Sequence, residues 1–219
     1  NDYLNSVSNH MDGGEDDTAI VVTKEYETFT LFVKLYTFNF PMLTATDDNV
    51  DAVIDIVTNK HREFNKKEDD IVVDSTGVGT GVASNLLKKG YRVIRYKGGE
   101  DSSNKKRWRN RRVQSHWAYR DALVEGRIIY ADDFCDSDTW DEYIDEALSI
   151  RTKDSIERVE DLLTKKEMKS NGIKSPNMIE ASVQVFATQV PLLANGVDTE
   201  NNSVIVLDDC DSDNYEGIA

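Results

Sequence analysis

The chain has 219 residues and a mass of 24.8 kDa, enough for one domain with a core of its own. With 39% hydrophobic and 31% charged residues, and no apolar run near the ~18–20 residues that span a bilayer, the composition is that of a globular chain rather than a membrane protein. A net charge of −15 argues against a nucleic-acid partner until its distribution is considered, because neutralising phosphates needs lysine and arginine.

Nothing at the start resembles a signal peptide, and a chain that opens on Asn is expected to be a fragment; whether residues 1–11 belong to it stays open on the sequence alone. Residues 18–23 and 28–38 are rich in β-branched and aromatic side chains and predict a hairpin around Lys24–Glu27. Val50, Val53, Ile54 and Val57 form an i, i+3, i+4, i+7 stripe that predicts a helix over 48–64. A strand at 71–73 and a helix near 80–89 follow, ended by Gly90, and 91–96 is a further strand. Residues 97–107 read as a polar loop. A helix is predicted from Trp108 to Gly126, with Val113, Trp117, Ala118, Leu123 and Val124 as core positions, and another over 137–148.

Segment 149–174 is charged and weakly patterned, which predicts short strands or a hairpin with a mobile loop. Ser175 and Pro176 read as N-cap and first residue of a helix whose following stretch, 178–193, is apolar on nearly all sides, so the helix is expected to be buried. Beyond Ala194 the chain turns to Asn, Asp and Ser, so the expected organisation is one domain over 1–194 and an acidic, disordered tail over 195–219. Cys135 and Cys210 are far apart with no C-x-x-C spacing, which predicts neither zinc nor redox chemistry and fits a reducing compartment. The predicted class is α/β, a mixed sheet flanked by helices.

The most informative segment is the β-branched run that ends on Asp74 and enters a turn with Gly77, Gly79 and Gly81. A carboxylate at that strand end faces the crevice where open α/β sheets place ligands. A Walker A loop would need Lys and Ser/Thr after the last glycine, and Val82-Ala83 stands there instead. The G-x-G-x-G spacing also misses the dinucleotide fingerprint. A plain tight turn remains open. The acidic run Asp12-Gly-Gly-Glu-Asp-Asp17 is either a solvated turn or a source of a second carboxylate beside Asp74. Glu180 falls in the first turns of the apolar helix, where a lone carboxylate is costly unless paired, hydrogen-bonded or bound to metal. Carboxylates converging in this way select hard divalent cations, Mg²⁺ or Mn²⁺, and two such ions about 3.5–4 Å apart suit phosphodiester hydrolysis.

Five ordered segments carry a resemblance: Gly13-Gly-Glu-Asp-Asp-Thr-Ala-Ile-Val-Val22, Val73-Asp-Ser-Thr-Gly-Val-Gly-Thr-Gly-Val82, Tyr96-Lys-Gly-Gly99, Asn110-Arg-Arg112, and Ser175-Pro-Asn-Met-Ile-Glu-Ala181. Over residues 5–193 the sequence resembles the nuclease domain of bacteriophage large terminase subunits. The resemblance implies an RNase H-like fold with an antiparallel hairpin plus parallel strands. It also implies a two-metal (Mg²⁺ or Mn²⁺) endonuclease that cuts concatemeric viral double-stranded DNA and leaves a 3′ hydroxyl. Asp74 matches the carboxylate of the central strand, and Glu180 the last acidic ligand, a slot the family more often fills with Asp. The first catalytic Asp of the family falls on Asn9, which binds Mg²⁺ more weakly, so Asn9 or Asp12 is expected to line the site. Asn177 stands where the family often has Asp and is expected near metal, through water.

Between Lys97 and Arg112 seven basic residues face only Glu100 and Asp101. A solvated basic loop is one reading; with the resemblance, Lys105, Lys106, Arg107, Arg109, Arg111 and Arg112 are expected to hold duplex phosphates. Trp108 and Trp117 read as core, and His116 as structural with no partner; His10 and His61 give no metal spacing. The implied partners are an ATPase domain of the same full-length protein, the portal and the small terminase subunit, acting in the cytoplasm of the infected bacterial host. The rival readings are a catalytically silent DNA-binding or docking module of the packaging motor, favoured by Asn9, and another RNase H-like nuclease of resolvase or transposase type.

Overall fold

The computed structural model describes residues 3–10, 18–38, 47–64, 70–77, 79–153 and 159–189. Residues 11–17, which include Asp12, and the expected tail lie outside the described residues. Six strands make one sheet: β1 (Tyr3–His10), β2 (Thr18–Glu25), β3 (Thr30–Phe38), β4 (Asp70–Asp74), β5 (Arg92–Tyr96) and β6 (Ile128–Tyr130), in the order β5-β4-β1-β2-β3-β6. β1, β2 and β3 run antiparallel, whereas β4 pairs β1, β5 pairs β4 and β6 pairs β3 in parallel. This is the mixed, RNase H-like sheet expected from the sequence, with two strands beyond those predicted, β1 inside the sheet and β6 at one edge. Six helices complete the described chain: α1 (Asp47–Phe64), α2 (Gly79–Lys88), α3 (Arg111–Val124), α4 (Ser137–Ser149), α5 (Lys165–Ser170) and α6 (Asn177–Gln189).

The central strand β2 is buried on both faces, which is why it reads as an unbroken apolar run rather than an alternating one. Its Ile20 and Val22 join Val53, Ile54, Val57, Val82 and Leu86 of α1 and α2 on one side. Its Ala19 and Val21 join Tyr119, Tyr143, Ile179, Val183 and Phe186 of α3, α4 and α6 on the other. Helix α6 crosses this second face and touches β1, β2, β4 and β5. Buried phenols tie it in: Tyr119 Oη lies 2.7 Å from Tyr130 Oη and 3.0 Å from Tyr143 Oη, and Tyr143 donates to Ser182 Oγ at 3.0 Å.

Three expectations shift. Helix α3 begins at Arg111, not Trp108, because Asn110 caps it by accepting from Val113 N at 3.0 Å, while Arg107 and Arg109 pair through their backbones with Glu160. Its buried face runs through Val113, Trp117, Tyr119 and Ala122, so Leu123 and Val124 end up 44% and 77% exposed rather than in the core. Segment 149–174 contains the isolated bridges Trp108↔Glu160 and Thr152↔Leu162, and then α5, opened by a Thr164/Glu167 capping box. At α6 the Pro176 carbonyl accepts from Glu180 N at 2.8 Å, so the cap sits one residue later than Ser175.

Candidate metal and nuclease site

Asp74 ends β4 at the point where the chain reverses into α2. Gly77 takes φ +62°, the left-handed region that favours glycine. A Cβ on Gly79 would lie 1.7 Å from the Asp74 carbonyl oxygen, so the helix can start against the strand end only without a side chain. Gly81 is different: a Cβ there would meet Val50 at an ordinary 3.6 Å. Thr76 N donates to Asp74 Oδ1 at 3.1 Å, and Thr80 Oγ1 donates to the Ser75 carbonyl at 2.6 Å, which closes the turn around the carboxylate.

Asp74 is in register with Tyr96 of β5, and laterally paired residues share a face of the sheet. Tyr96 is buried, within 3.5 Å of Ser115 Oγ on α3. Burial pushes its phenol well up, and the negative charge of Glu180 pushes it further, against the pull of Ser115, Arg112 and Arg111. Asp74 is thus paired across the sheet with a tyrosine that also feels the charge of Glu180. The backbone continues the arrangement: Arg112 N donates to the Gly98 carbonyl at 2.8 Å, and a Cβ on Gly98 would come within 3.1 Å of Arg112.

Glu180 is 3% exposed and does have a partner. Arg112 Nε donates to its Oε1 at 2.7 Å, with Nη2 at 2.6 Å, and His116 Nε2 lies 3.3 Å from the same oxygen. Burial alone would push the Glu180 carboxyl up; Arg112 and His116 outweigh it and hold it well below the usual carboxylate range. His116 thus has the partner that the sequence did not reveal. Asn177 is buried in the first turn of α6, with Ser175 Oγ donating to its Oδ1 at 3.0 Å. One turn beyond Glu180, Gln184 is fully buried and neither of its amide atoms has a hydrogen-bond partner among the described residues.

A second residue missed from the sequence is Glu146 of α4. It is buried, and its Oε2 accepts from Met178 N at 2.8 Å and Ile179 N at 3.1 Å, so it caps the helix that carries Asn177 and Glu180. Burial pushes its carboxyl up to about 7 against the pull of those two backbone donors. The available signal was a glutamate three residues after buried Tyr143, on the inner face of an amphipathic helix.

Asn9 lies on β1 in register with Val73, one residue before Asp74, and with Ile20 of β2. Among the described residues no three His, Cys, Asp or Glu side chains cluster closely enough to hold an ion. Taken singly, the oxygen donors of Asp74, Glu180 and Asn177, and the Gln184 amide left without a partner among the described residues, are of the kind a hard cation takes.

The basic stretch divides. Lys105, Lys106, Arg107 and Arg109 are exposed, with Arg107 stacked 4.5 Å over the Trp108 ring. Arg111 and Arg112 turn inward instead: Arg111 pairs with Glu100 at 3.3 Å and faces the Tyr96 ring, and Arg112 is committed to Glu180. Trp117 is core, as expected, and Trp108 packs against the cluster of Val113, Trp117 and Leu162.

No protein family and no curated protein matches this sequence. Solved structures do. The nuclease domain of the large terminase subunit gp2 of bacterial virus Sf6 is 18% identical, with a TM-score of 0.63 over 83% of this chain and 87% of that one. A mutant of the same domain with manganese and β-thujaplicinol gives 0.62 at 18% identity over the same shares. The large terminase of a thermophilic bacteriophage, in complex with ADP, gives 0.53 at 17% identity, covering 86% of this chain and 40% of that one. At these identities the likeness speaks for architecture alone: this chain has the fold of terminase nuclease domains.

Proposed function

We propose that the chain is a divalent-metal-dependent endonuclease that cuts concatemeric viral double-stranded DNA during genome packaging. The observation that carries this reading is the pair of carboxylates, Asp74 on a strand end in register with Tyr96 and Glu180 in a buried helix whose charge acts on that tyrosine, in a fold like that of terminase nuclease domains. Asp74 and Glu180 are the proposed metal ligands, with Asn9 or Asp12 from the first strand and its following turn, and Asn177 through water. Bound Mg²⁺ or Mn²⁺, two ions in this reading, would supply an activated water and neutralise charge on the phosphate. The Sf6 domain with manganese supports that choice of ion.

The chain's own residues do the rest. Glu180 is held ionised before any cation arrives, and the glycine turn keeps Asp74 at the strand end. Lys105, Lys106, Arg107 and Arg109 form the exposed basic track proposed to hold duplex phosphates, contacts that position the backbone without reading sequence. The chain would work as the nuclease part of a longer protein with an ATPase domain, alongside the portal and small terminase subunit, in the cytoplasm of the infected bacterium. The ADP complex of the thermophilic phage protein supports the ATPase partner.

A catalytically silent docking module is the second reading, favoured by Asn9, whose neutral carbonyl replaces a carboxylate. One assay separates them: plasmid incubated with the chain at low salt, with Mn²⁺ or with EDTA. Cleavage seen only with metal, and lost in Asp74→Ala and Glu180→Ala, is the expected result. Intact plasmid with full DNA binding would contradict the nuclease and favour the docking role. A gain of activity in Asn9→Asp would assign the first-strand ligand to position 9; no change would assign it to Asp12.

A further inference from the structure

The polar contacts of the Glu180 carboxylate all fall on one oxygen. Arg112 Nε and Nη2 approach Oε1 at 2.7 and 2.6 Å, and His116 Nε2 at 3.3 Å, while no described residue bonds Oε2. An arginine that serves only to neutralise a buried glutamate normally meets it fork to fork, one nitrogen on each oxygen. Here Nε donates to Oε1, and Nη2 lies against the same oxygen as a buried close contact outside hydrogen-bond geometry. The third, Nη1, donates to the Leu163 carbonyl at 3.0 Å, which holds the guanidinium from its other side. Arg112 and His116 are four residues apart on α3, on one face of the helix, so a single rigid element presents both donors.

We infer that Arg112 and His116 are positioning residues that clamp Oε1 of Glu180 so that Oε2 is presented as the ligand oxygen for a divalent cation. This rests on the nuclease reading above and deepens it. It also gives Arg112 a different task from its exposed neighbours: its side chain is only 16% accessible, Nε and Nη1 are hydrogen-bonded and Nη2 is buried, so no nitrogen is open to a phosphate. Partners of this kind around a metal ligand typically change affinity or activity by about 10–100-fold when removed.

The test is Mn²⁺ binding to the chain by calorimetry, with duplex binding in EDTA and a metal-free thermal melt measured beside it. Arg112→Gln is expected to weaken Mn²⁺ by about 10–100-fold while leaving duplex affinity as in the wild type. His116→Ala should weaken it less, and His116→Gln should recover most of that loss, since its amide N–H can replace Nε2. Lys106→Gln should do the reverse, lowering duplex affinity with Mn²⁺ affinity intact. If Arg112→Gln does not fold, Arg112→Lys is judged by the same criterion, because a single ammonium cannot serve both Oε1 and the Leu163 carbonyl. Wild-type Mn²⁺ affinity in the folded Arg112 variant, or a loss confined to duplex binding, overturns the inference alone. A wild-type chain that binds no Mn²⁺ overturns the nuclease reading and this inference with it.

Discussion

At the turn between β4 and α2 the backbone does the positioning: Asp74 closes a buried strand, Gly77 takes the left-handed conformation, and Gly79 lets a helix start against the Asp74 carbonyl. At the contact between α3 and α6 the work falls to side chains: Glu180 is gripped by Arg112 and His116, which precede it by 68 and 64 residues. The same chemical group is thus held by local geometry in one case and by long-range electrostatics in the other. The first is robust to side-chain change but intolerant of an added Cβ. The second tolerates backbone variation but depends on three specific side chains.

The largest effects should come from the carboxylates themselves. Asp74→Asn and Glu180→Gln should each lower cleavage by about 10³-fold or more, several kcal/mol of transition-state stabilisation, in a single-turnover assay on plasmid. Equal losses would mean that the two modes of holding serve one site.

Next come the glycines, which break the comparison on the backbone side. Gly79→Ala should cost about 3 kcal/mol in urea unfolding, because the strand end or the helix start must move. Gly77→Ala should cost about 1–2 kcal/mol for its positive φ. Gly81→Ala should be neutral or stabilising by up to about 1 kcal/mol, since its Cβ meets only open van der Waals contact and alanine favours the helix.

On the side-chain side, Glu146→Ala should cost about 2 kcal/mol by leaving two buried N–H groups of α6 without an acceptor. Its pH signature has a definite sign. The folded-state carboxyl titrates at about 7, against an ordinary 4.5, so the folded protein holds this proton over a window in which the unfolded chain has lost it. Its contribution to stability therefore falls as pH rises from about 4.5 to about 7 and is level above that. Glu146→Gln should flatten that part of a plot of Tm against pH.

The smallest effects belong to the exposed basic track. Lys105→Gln, Lys106→Gln or Arg109→Gln should each weaken duplex binding uniformly across sequences and lower the log–log salt slope by about 0.9.

The contrast also explains what could be read from the chain. The β4 turn is legible because its determinants are neighbours: a β-branched run, an aspartate and glycines at short spacing dictate strand, end and turn. The buried helix around Glu180 was legible from its apolar run, and so was the need for a partner. The partner itself was not, because nothing in the spacing of Arg112, His116 and Glu180 says that α3 and α6 pack together. Arg112 lies in a basic run and reads as one more phosphate contact until its burial is seen. Strand β6, with three residues, is too short to carry an alternating pattern. Leu123 and Val124 look like core on a helical wheel, yet they fall in the last turn of α3, off the buried face of Val113, Trp117, Tyr119 and Ala122.

The most direct test of the central claim, that the backbone-held Asp74 and the side-chain-held Glu180 form one metal site, is a double-mutant cycle on Mn²⁺ affinity. With Asp74→Asn, Glu180→Gln and the double variant measured by calorimetry, each single change should lose nearly as much affinity as the pair, a strong non-additivity. Losses that simply add, or a single variant that binds Mn²⁺ like the wild type, would contradict the account.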